Sequence, residues 1–172
     1  MERVETPRLR VVILPKRMRQ MNAIRNSAKA IIIRNEYLLT VKNYDAAGEW
    51  YLLPGGGQNL GETLEEALRR ECIEEIGIAI SVGRLRYIRE YIGKNHEFSA
   101  HDGDAHQVEF MFECDFDDTQ QLELGTNPDA YQVDIAWLPI NEIHKYRIYP
   151  KLLRDLLLSE VDNDDTYLGD VN

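Results

Sequence analysis

A chain of 172 residues, 44% hydrophobic and 29% charged, is long enough for one domain with a sizeable core and too apolar to stay disordered. Its net charge of −10 excludes general nucleic-acid binding, which needs a cationic footprint. It has no apolar run of membrane-spanning length and no signal-peptide core, and its two cysteines, Cys72 and Cys114, make no disulfide framework, so a reducing cytoplasm is the expected setting.

The charge is uneven. Residues 1–20 carry Arg3, Arg8, Arg10, Lys16, Arg17 and Arg19 against Glu2 and Glu5, a net of +4, which leaves −14 downstream. Residues 1–23 are therefore taken as a basic arm, with a short strand at 9–14. The arm could clamp an anionic substrate, swap across a homodimer or be expendable. A buried strand is expected at 28–33, a turn at Arg34-Asn35-Glu36 and a second strand at 37–42. Residues 44–49 form a polar loop, and the apolar stretch 50–53 ends at Pro54-Gly55-Gly56-Gly57. The pattern predicts a helix from Glu62 to about Ile76, stopped by Gly77. Strands follow at 81–91, 107–115 and 133–138, with a long polar loop at 93–106. Pro150 precedes a final helix over 151–160. The acidic tail 161–172 is expected to fray. This order predicts an α/β chain in which a mixed sheet lies between helices, the domain proper spanning 24–160.

On a helical wheel of about 100° per residue, Leu64, Ala67, Leu68 and Cys72 share one face, roughly 140° wide. Glu71 and Glu75 point along the middle of that face, and Glu74 lies at its edge. Carboxylates aimed at a core need a compensating cation, because unpaired buried charge is costly. Three oxygen donors within one turn suit Mg²⁺ or Mn²⁺. The alternative is a solvated acidic helix end.

The surrounding spacing bears on that choice. Gly56, Glu62, Arg70-Glu71, Glu74-Glu75 and Gly77, followed by Ile78, stand at the intervals of the Nudix box, and the chain is identified as resembling the Nudix hydrolase family. Seven fixed positions match, which chance produces on the order of 10⁻⁸ times per starting point. Cys72 is the one soft departure, a small hydrophobe where the family carries a bulkier aliphatic. Trp50 to Gly56 and Trp137-Leu138-Pro139 with Glu142-Ile143 extend the likeness to about 28–143.

The resemblance implies a Nudix α/β/α sandwich with a mixed β-sheet. It implies Glu71, Glu74 and Glu75 as metal-binding catalytic residues, with a backbone carbonyl at Gly56 completing the coordination, and Arg70 and Glu62 as the scaffold orienting them. Bound Mg²⁺ or Mn²⁺ would neutralise the charge of a pyrophosphate and lower the pKa of a water. The box does not fix the base; Glu74 and Asp134, three residues before Trp137, are the candidates. Trp50, Tyr51 and Tyr91 could stack on a base or belong to the core. The expected substrate is nucleotide-derived, with ADP-ribose, nucleotide sugars and nucleoside triphosphates left open and no nucleic-acid polymer or membrane as partner. The alternative function is a non-catalytic Nudix module that senses a nucleotide or binds a partner. His96, His101 and His106, with Asp102 and Asp104, match no zinc spacing and are read as an active-site loop. Glu109, between Val108 and Phe110, could reach the metals or face solvent, and solvent is the preferred reading.

Overall fold

Alternation along the strands decides the layering. The computed structural model describes residues 23–127, 129–159 and 165–172. Residues 1–22 of the basic arm 1–23, with the expected strand at 9–14, lie outside the described residues. The elements run β1 (Arg25–Ile31), β2 (Ile33–Arg34), β3 (Tyr37–Asp45), β4 (Gly48–Leu52), α1 (Leu64–Ile76), β5 (Ile80–Ile92), α2 (Ser99–Asp102), β6 (His106–Phe116), β7 (Gln132–Pro139), β8 (Ile148–Tyr149), α3 (Leu152–Leu158) and β9 (Tyr167–Asp170). One sheet is ordered β1-β6-β5-β9, and the second β2-β3-β4-β8, with β7 along the other side of β3. Parallel pairs (β1 with β6, β4 with β8) and antiparallel pairs (β3 with β7, β5 with β6) coexist, as the mixed-sheet reading requires.

Each strand sends alternate residues to two cores. Ala28, Ala30 and Ile32 join Leu39, Val41 and Phe112 beneath Leu68, Cys72 and Ile76 of α1. Ile31, Leu38, Met111 and Leu138 face the other way and pack with Ile143, Ile148 and Leu153 of α3. Helices thus cover opposite faces of the sheets. Among the described residues no helix is long and apolar enough to cross a membrane.

Local signals explain the helix ends. Thr63 caps α1 by accepting from the Glu66 N–H at 3.2 Å, and the Glu66 carboxylate accepts from the Thr63 N–H at 2.8 Å, a reciprocal capping box. Gly77, at φ 69°, takes the left-handed conformation that ends the helix. Helix α1 therefore starts two residues after the expected Glu62, which instead accepts from the Asn59 N–H at 2.9 Å.

Three expectations are corrected. The supposed loop at 44–49 is a tight hairpin: β3 runs on to Asp45 and β4 starts at Gly48, the turn being closed by the Ala47 N–H donating to Asp45 at 2.7 Å. The loop at 93–106 contains a 3-10 turn and α2. The tail does not fray over 165–172: β9 pairs in parallel with β5, because Asp170 finds three donors on the β5 edge and the loop beyond it. Strand β8, two residues long, carries no period that a sequence pattern could show.

The Thr63→Ala variant is expected to lose about 1 kcal/mol of stability, the usual worth of an N-cap. That corresponds to a thermal midpoint roughly 2–4 °C lower in a chain of this size. Thr63→Ser should melt with the wild type, and a melt followed by circular dichroism checks both.

Candidate active site

Helix α1 delivers its last two turns of carboxylates to the glycine loop that follows β4. Glu75 is 3% exposed, within the packing face, as the wheel requires. Its Oε2 accepts the Gly55 N–H at 2.7 Å. Burial pushes the Glu75 carboxyl up to about 7; the Lys29 charge and the Gly55 bond act in the opposite direction but do not overcome it, and Asp129 and Glu71 add to the rise. Glu71 sits against Gly56 so closely that a Cβ there would lie 2.5 Å from the carboxylate. Only glycine admits this approach.

Arg70 organises the remainder. It donates from Nε to Glu62 Oε1 at 2.7 Å and from Nη2 to Glu62 Oε2 at 2.9 Å, a two-pronged ion pair. From Nη1 it reaches Glu71 at 2.6 Å and Glu74 at 3.4 Å, and from Nη2 the Gly57 carbonyl at 3.0 Å. The Arg70 hydrogen bonds, with one from the Asn59 backbone, hold the Glu62 carboxyl down at about 2. One arginine thus ties the loop that carries Glu62 and Gly57 to the acidic turn. The Gly56 carbonyl does not stand free for a metal, since it accepts from the Ala28 N–H at 2.9 Å and from the Ser27 hydroxyl at 3.1 Å. Gly56 contributes its missing side chain instead.

The donor set can be tested against a divalent ion. Glu71, Glu74 and Glu75 are hard oxygen donors on consecutive turns, and Glu75 is a buried carboxylate that its nearby lysine and single backbone donor leave under-compensated. These residues fit a divalent cation in donor chemistry. Among the described residues no three acidic, histidine or cysteine groups are already drawn together as a cage, because Glu71 and Glu74 turn toward Arg70.

A second region lies beside this one. Trp50 and Tyr91 come together, with Tyr131, Tyr149 and Phe98, around a cavity of about 510 Å³. Trp50 stands 6.5 Å from Tyr131 and 6.3 Å from Tyr149, centroid to centroid. Tyr91 stacks on His96 at 5.0 Å. Tyr51 takes no part; it is buried in the second core, edge-on to Tyr146 at 5.7 Å. Arg25 bridges the two regions, lining the cavity while its guanidinium fills the space a Gly57 side chain would need.

Asp134 is not brought to the carboxylates. It is exposed on β7 opposite Lys42, on the strand face that Ala136 and Leu138 turn to the second core, and it accepts its neighbour's N–H from Ile135 at 2.8 Å. Glu109 does not face solvent. It is 5% exposed and paired with Arg89 at 2.5 Å, with Gln107 donating at 2.7 Å. Burial works to raise its carboxyl, but the Arg89 and Lys29 charges outweigh burial and hold it low. Of the histidines, His96 bonds Asp170 at 2.6 Å and His106 bonds Glu90 at 2.8 Å, while His101 is exposed. Loop residues Phe98, Asp102 and Ala105 border the cavity.

Lys29 was missed. It is 9% exposed, donates to the Gly55 carbonyl, and its charge is felt by both Glu75 and Glu109. A lysine inside the apolar run 28–33 was the available signal.

Residues 23–156 match the NUDIX domain family. No curated relative matches the chain. A MutT NUDIX hydrolase from Burkholderia pseudomallei superposes at TM-score 0.63 with 22% identity, covering 80% of this chain and 99% of that one. An ADP-ribose pyrophosphatase from Streptococcus suis superposes at TM-score 0.53 with 17% identity, over 86% of this chain and 100% of that one. The ORF135 protein of E. coli gives TM-score 0.57 and 22% identity, over 78% and 86%. At such identities the likeness concerns the fold. The fold and the locked acidic turn define a Nudix-type α/β enzyme architecture. With the family match over most of its length, the chain belongs to the NUDIX family of hydrolases.

Glu75 also predicts a pH dependence. The folded chain holds this proton more tightly than the unfolded chain, where the ordinary value is 4.5. The resulting stability is complete below that value and is lost as pH rises through about 7. In chelator, the melting temperature of Glu75→Gln should therefore gain on that of wild type between pH 5.5 and 8. Parallel curves would mean that Glu75 is ionised throughout.

Proposed function

We propose that this chain hydrolyses a phosphoanhydride bond in a substrate built on a nucleoside diphosphate, with Mg²⁺ or Mn²⁺ held by Glu71, Glu74 and Glu75. The observation that carries the reading is the adjacency of an Arg70-locked acidic turn and a cavity of about 510 Å³ walled by aromatics, with Arg25 between them. A nucleoside matches that cavity in flatness, and a diphosphate leaving it toward α1 would pass Arg25. Arg25 has no ion-pair partner among the described residues, so its charge is available to a phosphate. The ADP-ribose pyrophosphatase and a UDP-X diphosphatase among the structurally similar proteins support the substrate class.

A divalent ion, when bound, supplies charge neutralisation for the pyrophosphate and acidifies a water. The chain's own residues do the rest. Glu75, buried and anchored by Gly55, holds negative charge where hydration is poor and therefore binds cations strongly. Arg70 fixes the rotamers of Glu71 and Glu74 from behind. Glu74 is the carboxylate of this turn with the greatest exposure, 28% of its side chain, and is best placed to take a proton from solvent-side water. Asp134 stands on the far strand face, which supports Glu74 over it as the base.

Purified protein in millimolar Mg²⁺ or Mn²⁺ is expected to hydrolyse at least one of ADP-ribose, a nucleotide sugar or a nucleoside triphosphate, releasing a nucleoside monophosphate. Glu75→Gln should cut turnover by about 10²–10³, the cost of one lost electrostatic contact to the transition state. The Glu71→Gln/Glu75→Gln double variant should bind Mn²⁺ far more weakly in a titration. Folded, metal-binding wild type that is inert across the panel would instead support a nucleotide-sensing module.

A further inference from the structure

Three side chains form one row across the first sheet. Arg25 on β1, Gln107 on β6 and Tyr91 on β5 stand opposite one another in register, and all three line the cavity of about 510 Å³. Alternation puts them on the sheet face that Ile31, Met111 and Tyr87 turn toward the second core. The next row inward, Ser27, Glu109 and Arg89, is buried.

The buried row fixes the middle residue of the outer one. Glu109 Oε2 accepts from Arg89 Nε at 2.5 Å, and Glu109 Oε1 accepts from Gln107 Nε2 at 2.7 Å. Burial works against it, but the Arg89 and Lys29 charges keep Glu109 ionised, and an ionised carboxylate only accepts. The Gln107 amide therefore has one orientation. Its nitrogen faces Glu109, and its Oε1 is left over as an acceptor. No donor among the described residues meets that oxygen, and Gln107 is half-buried at the cavity wall.

Most other polar groups of the lining are engaged. Arg89 is paired with Glu109, Arg147 with Asp45 at 3.0 Å, and Asn172 bonds the Glu97 carboxylate. Arg25, Gln107 and Asp102 remain, the last accepting a long 3.4 Å bond from the Tyr91 hydroxyl. The row thus runs from a cation through an acceptor to an aromatic ring, in steps of about 4.8 Å, the spacing of neighbouring strands. A 5′-nucleotide carries phosphate, sugar hydroxyls and a flat base in the same order. We propose that Gln107 is a specificity residue for the sugar: its Oε1, aimed by the Arg89–Glu109 pair, accepts a ribose hydroxyl, so that the chain selects ribonucleotide over deoxyribonucleotide derivatives. Asp102, at the rim, offers a second acceptor to the neighbouring hydroxyl. This rests on the reading of the chain as an enzyme of nucleotide-derived substrates and narrows their class.

Isothermal titration of the full chain in millimolar Mg²⁺ tests it, with AMP and UMP each set beside its 2′-deoxy and 3′-deoxy forms. Removing the recognised hydroxyl should weaken binding by about tenfold with either base, the usual worth of one hydrogen bond in a shielded site. The form that loses affinity identifies the hydroxyl. In Gln107→Met the ratio of ribo to deoxy affinity should fall to within about twofold of unity. A merely structural role would weaken both forms together and leave the ratio intact. Gln107→Lys keeps a donor for Glu109 but has no acceptor, so it should erase the ratio too, and it carries the test if Gln107→Met does not fold. Arg25→Ala should weaken ribo and deoxy forms alike. On a substrate that the wild type hydrolyses, Gln107→Met should raise KM and leave kcat within about twofold. Wild type that binds ribo and deoxy forms equally, wild type that binds none of them, or an unchanged ratio in either folded Gln107 variant would overturn the proposal. Ribose-selective binding by a chain that hydrolyses nothing would uphold it while sinking the hydrolase reading. Hydrolysis of ribo and deoxy substrates with equal kcat/KM would sink this inference alone.

Discussion

A carboxylate sits on the packing face of a helix, and the rest of the site is arranged around that cost. Glu75 occupies the stripe that Leu68, Cys72 and Ile76 share, under β1 and the glycine loop. An apolar residue there would pack without penalty, and Glu75 instead depends on a backbone N–H and on the charge of a buried lysine. The chain keeps the glutamate where water cannot shield it. Its tolerance of a bare negative charge is accordingly low, which is what the proposed cation would relieve.

Two further features serve that placement. Gly56 brings the loop backbone against Glu71 with no side chain intervening, so the loop and the helix turn are effectively one surface. Arg70 then spans Glu62, Glu71, Glu74 and the Gly57 carbonyl, so that the loop's position and the carboxylates' rotamers are set by the same guanidinium. A lysine could not do this, because it lacks the planar fork that engages Glu62 through two nitrogens at once. The buried Arg89–Glu109 pair plays a comparable part on the neighbouring cavity, where it fixes Val171.

The sequence made the local features plain and the long-range ones obscure. Helix α1, its glycine stop and its carboxylate face follow from spacing alone, because each depends on neighbouring residues, whereas the Arg70–Glu62 pair was expected only from the family resemblance. All seven strand and helix segments expected within 28–160 lie within three residues of those found. Strand β9 was not visible, since its pairing depends on Asp170 meeting Ile92, Asn95 and His96, about 75 residues away, in a stretch whose composition reads as solvated. Glu109 was misjudged for the same reason: polar alternation on a strand means solvent unless a partner lies on the next strand, and Arg89 does. Trp50 and Tyr91 were legible as aromatics only; that they share one cavity while Tyr51 joins the core is decided by strand parity on β4 and its register against β3 and β8.

The distribution of charge separates two tasks. Downstream of the basic arm the chain is strongly acidic, and an anionic substrate is drawn to such a protein only where cations gather. In the aromatic cavity the guanidiniums of Arg89 and Arg147 are already matched by carboxylates, leaving little net attraction for phosphate. Arg25, at the border over Gly57, is unmatched among the described residues, and the acidic turn beyond it is the proposed place for divalent ions. A substrate carrying its charge in the middle and a neutral ring at one end meets each of these demands in order along its length. A substrate charged at both ends would have to displace an ion pair to enter the cavity. With Arg89 and Arg147 paired, the proposed neutral ring would meet aromatic walls there rather than free guanidiniums.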